Sequence, residues 1–206
     1  MSGFNRQAHW QQVYSEKGES RVSWFQERPT ISLELIEAVG AKPSSAIIDI
    51  GGGASRLVDA LVEKDYRDLS VLDLSESAVS IAKMRLGQRG AAVKWIVADV
   101  TQWEPPTTYD LWHDRAAFHF LTEECDRIAY VERLTKALRS GGHAIIGTFA
   151  LDGPERCSGL PVVRYDGAQL SISLGSSFAL LDTRRQDHQT PWGATQHFQF
   201  SVFRRA

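Results

Sequence analysis

Ile47-Ile48-Asp49-Ile50-Gly51-Gly52-Gly53 decides the reading of this chain. A short apolar run, Ala46 to Ile50, enters three glycines. A helix-period segment from Ser55 to Lys64 follows, with Leu57, Val58, Leu61 and Val62 on one face. Strand, glycine turn and helix in that order open a βαβ unit. Glycine frees the backbone at such a turn and lets a ligand approach it closely. Ligands of open α/β sheets bind outside the carboxyl ends of the strands. The turn therefore predicts a nucleotide-like ligand at this point.

Outward from the turn, apolar runs keep alternating with helix-period segments, as a mostly parallel sheet requires. Leu69 to Asp73, Val93 to Ala98, Tyr109 to His113 and His143 to Phe149 read as strands two to five. Ser75 is placed to cap one intervening helix and Thr122 another. Gly141-Gly142 reads as the stop of the second. Before the first strand, Phe4 to Arg28 is rich in aromatics (His9, Trp10, Tyr14, Trp24, Phe25) and predicts a helix and loop. A helix from Pro29 to about Val39 follows it. A helix is also predicted around Asp166 to Leu174. Phe178 to Arg184 and His197 to Phe203 then flank the turn signal Pro191-Trp192-Gly193. A loop that short leaves no room for a crossover helix, so these last two strands form an antiparallel hairpin.

The chain has 206 residues, enough for one α/β domain. Its 43% hydrophobic and 23% charged content is that of a folded domain. A net charge of −2 builds no broad positive field, so nucleic acid is not an expected partner. Two cysteines, Cys125 and Cys157, exclude a disulfide scaffold and a cysteine-based zinc site, and no metal is expected. The reading Met1-Ser2-Gly3-Phe4-Asn5-Arg6-Gln7 lacks an apolar leader, and no apolar run approaches a membrane span. A cytoplasmic protein without a membrane partner, a monomer or weak homodimer, is the expectation.

Three features narrow the ligand. Asp49 sits two residues before Gly51, where its charge repels a pyrophosphate and suits an ammonium group. Arg56 stands where the dinucleotide fingerprint wants its third glycine. Asp73 ends strand two, where a carboxylate accepts from ribose hydroxyls. The bland role for Asp73 is that of a turn residue before Ser75.

Asp49-Ile50-Gly51-Gly52-Gly53, Asp73, and Ala98-Asp99-Val100 closing strand three resemble the motif series of class I S-adenosylmethionine-dependent methyltransferases. That resemblance implies one domain over 1–206, with an N-terminal helix and lid over 1–28 and a Rossmann-like core over 44–206. It implies an α/β three-layer sandwich on a seven-stranded, mostly parallel sheet with a C-terminal antiparallel hairpin. It also implies that Asp49 and the backbone of Gly51, Gly52 and Gly53 hold the methionine end of S-adenosyl-L-methionine. Asp73 then holds the ribose, Asp99 the adenine amino group, and Val100 and Leu74 the adenine faces. Trp112-His113-Asp114-Arg115-Ala116-Ala117-Phe118 resembles a segment of the thiopurine methyltransferase-like subset. Val22-Ser23-Trp24-Phe25 resembles the lid of small methyltransferases, which sets Trp24 over the cofactor.

Methyl transfer from a sulfonium is an in-line displacement in which the protein aligns the partners and excludes water. A base is needed only for a neutral O–H or N–H acceptor. His113, with Asp114 beside it, is the base candidate at the end of strand four. Arg115, His119, Arg156 and Trp192 are candidates for walling the acceptor. For any single histidine, a surface or satisfied core position is the commoner role. Arg156 and Arg164 suit an anionic acceptor or serve as solvated loop charges, and Cys157 reads by default as a small loop residue. The expected acceptor is a small molecule, since no further domain is left to dock a large one. A protein lysine or terminal amine, and a non-catalytic cofactor-binding module, are the competing readings.

Overall fold

A computed structural model of the chain describes residues 5–206. The expected N-terminal stretch begins at Phe4, which lies outside them. All five residues of β1 (Ala46–Ile50) are buried, because a central parallel strand is covered on both faces. β2 (Asp68–Asp73), β3 (Lys94–Val97), β4 (Tyr109–Arg115) and β5 (Leu138–Phe149) run parallel to it. A small hairpin of β6 (Arg156–Cys157) and β7 (Leu160–Pro161) stands apart from the main sheet. β8 (Phe178–Gln189) and β9 (Thr195–Arg205) complete the seven strands in the order β3-β2-β1-β4-β5-β9-β8. β9 is antiparallel to both β5 and β8, as the hairpin reading expects. The order reverses between β1 and β4, which opens the crevice where such sheets take ligands.

The period-two alternation of the strands divides the core into two layers. Ile47, Val71, Leu111, Ile145 and Phe200 face α2 (Thr30–Ala38) and α3 (Leu57–Glu63). Ile48, Leu72, Trp112, Ile146 and Phe203 face α5 (Glu124–Ala137) and α6 (Gly167–Leu174). Each large aliphatic side chain so buried contributes ~2 kcal/mol. α1 (Arg6–Lys17) lies beside α4 (Glu76–Leu86), at the end of the sheet where β1 and β2 finish. No helix of the described residues is long and apolar enough to cross a membrane.

Local chemistry explains most boundaries. Ser75 caps α4 by accepting from Ala78 N at 3.1 Å. Asp166 and Gln169 form a reciprocal capping box on α6. Three expectations need correction. Thr122 does not cap α5: Glu123 occupies that position, without a side-chain bond. Gly141-Gly142 does not stop that helix either, which ends at Ala137. The two glycines lie inside β5, in a bulge where pairing jumps from Tyr109↔Leu138 to Leu111↔His143. A Cβ on Gly142 would stand 3.0 Å from Asp110 O, so glycine serves close strand approach there. Finally, β8 runs past Arg184 to Gln189, which puts His188 on a strand and not in the loop after it.

Candidate active site

The glycine turn rests directly on two carboxylates. Gly51 (φ +65°) and Gly53 (φ +28°) take conformations that side chains rarely adopt. Gly51 N donates to Leu72 O at 2.7 Å, which fixes the turn against β2. A Cβ on Gly52 would stand 2.4 Å from Asp49 Oδ2, and one on Gly53 would stand 2.5 Å from Asp73 Oδ2. Close approach therefore requires Gly52, and close approach and backbone angle together require Gly51, whose Cβ would stand 2.8 Å from Ala117 Cβ, and Gly53.

Asp49 is buried and pairs in register with His113 across β1 and β4. His113 Nδ1 lies 2.6 Å from Asp49 Oδ1, and its Nε2 lies 2.9 Å from Ser32 Oγ on α2. A carboxylate only accepts, so Nδ1–H is the donor to Asp49. Asp73 Oδ1 accepts from Ser75 N at 2.7 Å. Burial pushes the Asp73 carboxyl up to about 7, and the nearby charge of Asp49 adds to the shift. Asp99 Oδ1 accepts from Thr101 N and Oγ1 at 2.9 and 2.7 Å, while Oδ2 accepts from Arg6 at 3.0 Å. Arg6 also donates to Asp126 at 2.9 Å, so it ties α1 to the loop after β3 and to α5.

One cavity of about 100 Å³ joins these groups. Gly51, Asp73, Leu74, Asp99 and Val100 line its sheet side. Trp10, Tyr14 and Trp24 close it from the N-terminal segment, and Arg115, Phe120 and Cys157 line its far end. Trp24 Nε1 donates to Tyr14 Oη at 3.2 Å, and Trp10 packs edge-on against both Trp24 and Phe120. Asp49, Gly52 and Gly53 form the support under this surface.

Other expected residues lie elsewhere. His113 is 2% exposed with both ring nitrogens engaged, so it orients Asp49 and is not placed as a base. Asp114 is fully buried and accepts from Ala117 N, Phe118 N and Tyr130 Oη at 2.9, 3.1 and 2.7 Å. It shapes the turn after β4, and burial pushes its carboxyl up to about 6. The Trp112-to-Phe118 segment thus holds architecture at several of its positions. His119 is buried against Phe120 and Phe149, and burial pushes it down to about 3, with the charge of Arg115 adding. Arg156 is exposed on β6 and donates to Gly159 O. Trp192 is 63% exposed at the tip of the β8–β9 hairpin. Neither Arg156 nor Trp192 lines the cavity, because the loops bearing them point outward.

Arg6, Trp10, Tyr14 and Phe120 are cavity residues that sequence reasoning missed as site members. Trp10 and Tyr14 sit four apart on one helix face, which is the available signal. Arg6 carries none. Cys157, read as a small loop residue, also lines the cavity.

Residues 47–142 match the family described as methyltransferase domain. Among the chain's relatives is trans-aconitate 2-methyltransferase of Sinorhizobium medicae (strain WSM419), 27% identical over 80% of this chain and 60% of that one. Another is the eEF1A lysine and N-terminal methyltransferase of Mus musculus, 28% identical over 59% of this chain and 17% of that one. The chain thus spans less than two thirds of the length of these relatives. The domain also superposes on the Burkholderia thailandensis 1,6-didemethyltoxoflavin-N1-methyltransferase with TM-score 0.74 and 21% identity, over 97% of this chain and 88% of that one. At that identity the likeness is one of fold. That structure holds 1,6-didemethyltoxoflavin and S-adenosylhomocysteine.

Proposed function

We propose that this chain is an S-adenosylmethionine-dependent methyltransferase, one domain over 1–206, that moves a methyl group to a small-molecule acceptor. The observation that carries this reading is convergence. The glycine turn over Asp49, the carboxylate of Asp73 and that of Asp99 meet on one cavity, which also takes in Arg115 at the end of β4 and Cys157.

The donor set fits the cofactor. Asp49 sits where a bound ammonium gains from its charge and a pyrophosphate is repelled. Arg56, at the place of the third fingerprint glycine, is engaged with Glu19 and Glu27 and lies over the ring of Phe25. S-adenosylmethionine supplies an electrophilic methyl on a sulfonium sulfur. The chain's part is binding and alignment. The turn, with the charge of Asp49 beneath it, holds the methionine end, Asp73 accepts from the ribose hydroxyls, and Asp99 accepts from the adenine amino group. Leu74 and Val100 flank the adenine. Trp10, Tyr14 and Trp24 exclude water from the reacting atoms. The resemblance to the thiopurine methyltransferase-like subset rests on short segments and adds no acceptor.

The eEF1A-type relative supports a second reading, transfer to a protein lysine or amino terminus. The closure of the cavity by α1 favours the small molecule. Calorimetry with S-adenosylmethionine, S-adenosylhomocysteine and NAD tests the cofactor, and binding of NAD alone rejects the reading. Transfer of a labelled methyl to small acids, thiols and amines, against cell-extract proteins, tests the acceptor.

A further inference from the structure

Arg115 ends β4 and lines the cavity beyond the cofactor residues. Its Nη1 donates to Trp24 O at 2.9 Å, and its guanidinium stacks on Phe198 with Cζ 4.7 Å from the ring centroid. Its Nε and Nη2 are buried and have no hydrogen-bond partner. Those two N–H groups point the same way from the planar guanidinium and form the fork that grips a carboxylate through both oxygens. Among the described residues no carboxylate lies within ion-pair distance of Arg115. Arg6, the other cation on the cavity, is spent on Asp99 and Asp126. A buried charge without a counter-ion is costly, and desolvation lowers Arg115 to about 10. An anion that reaches the fork from the cavity, with a small shift of the side chains that shield it, relieves that cost.

Among the described residues, no cavity group left free by the cofactor is placed to take a proton. His113 is engaged on both sides and His119 lies outside. Burial raises the Tyr14 phenol and pushes the Cys157 thiol up to about 11, so both hold their protons at neutral pH. Asp73 and Asp99 belong to the cofactor. An acceptor that arrives already ionised needs no base, and a buried cation disfavours an ammonium.

We infer that the acceptor is a carboxylic acid on an apolar or aromatic body, held as the carboxylate by the free fork of Arg115 between Tyr14, Trp24 and Cys157. This rests on the proposed use of S-adenosylmethionine. A carboxylate lone pair forms the O–CH₃ bond while the S–CH₃ bond breaks and its electron pair stays on sulfur. The sulfonium becomes a thioether and the carboxylate a neutral methyl ester, with no proton transferred. The neutral ester loses its pairing with Arg115, which favours release.

The test uses the whole chain saturated with S-adenosylhomocysteine. It is titrated with benzoate, phenylacetate and succinate, and with the amide of each. At least one carboxylate is expected to bind more than about tenfold tighter than its amide. The same acid should accept label from S-adenosylmethionine as a base-labile ester. Arg115→Gln should raise its KM by about tenfold or more, with Arg115→Lys only partly restoring it, while affinity for S-adenosylhomocysteine holds. Carboxylates that bind no tighter than their amides overturn the inference, as does label transferred to thiols or amines and not to acids. These wild-type comparisons decide the matter even if Arg115→Gln does not fold. Loss of the cofactor reading shows separately, as absent S-adenosylhomocysteine binding.

Discussion

His113 Nδ1 stands 2.6 Å from Asp49 Oδ1, and Ser32 Oγ holds the other ring nitrogen at 2.9 Å. Strand pairing of Asp49 with His113 across β1 and β4 makes this possible. The histidine therefore supports the glycine turn from below, through Asp49. His113→Ala is expected to weaken S-adenosylmethionine binding by about tenfold and to cost about 2 kcal/mol of stability. Turnover at saturating cofactor should persist. Calorimetry and a KM-against-kcat split check this, and lost kcat with intact cofactor affinity would restore the base role.

Asp73 gives the site a pH dependence. Its folded pKa, about 7, lies above the ordinary 3.8, chiefly through burial. In its proposed role Asp73 accepts from ribose hydroxyls in the ionised form, so cofactor affinity should fall by about tenfold per pH unit below about 7 and level off above it. For the free protein the sign is opposite. Folding favours the protonated acid, so this group's contribution to stability is largest below about pH 4 and is lost as pH rises to about 7. Asp73→Asn should flatten the affinity slope and weaken binding at pH 8 by more than about tenfold. Calorimetry across the range decides it.

Gly52→Ala isolates a contact. Gly52 does not adopt a left-handed φ, so an added methyl group acts through the 2.4 Å approach to Asp49 Oδ2. Loss of cofactor binding by more than about tenfold is expected. Gly18→Ala, at φ +66° with open space around it, should cost only about 1 kcal/mol of backbone strain and leave binding intact. Thermal unfolding and ligand titration of the pair separate the two effects.

Asp114 is predicted to matter for folding. Its three acceptor contacts hold the turn that carries Ala117 and Phe118 over the end of β4. Asp114→Ala leaves buried donors unmatched and should destabilise by about 3 kcal/mol. Urea unfolding measures that loss. Cofactor affinity of the folded fraction should remain.

Arg6 latches α1 over the cavity through Asp99 and Asp126, which are partly exposed. Partly exposed pairs are worth ~1 kcal/mol or less. Arg6→Ala should therefore speed S-adenosylhomocysteine release by up to about fivefold, as read by stopped-flow tryptophan fluorescence.

The sequence by itself determined whatever depends on neighbours along the chain. Period-two apolar runs, the glycine turn, Ser75 as a cap, and the C-terminal hairpin are local chemistry, and they give the sheet and its ligand edge. Asp73 and Asp99 were legible as cavity residues because one ends β2 and the other follows β3 by two residues, and strand ends of a parallel sheet share one edge. Tertiary structure decided what depends on register between distant segments. His113 lies 64 residues from Asp49 and meets it only because β4 crosses over to pair with β1. Arg6 and Arg115 look alike as letters, yet folding gives one two carboxylates and leaves the other a buried, unmatched fork. Gly141-Gly142 read as a helix stop because a bulge leaves no periodic trace, and the spacing that requires glycine there exists only once β4 and β5 pair. Burial and partnership are properties of the packed chain, and they separate the residues that support the site from those that line it.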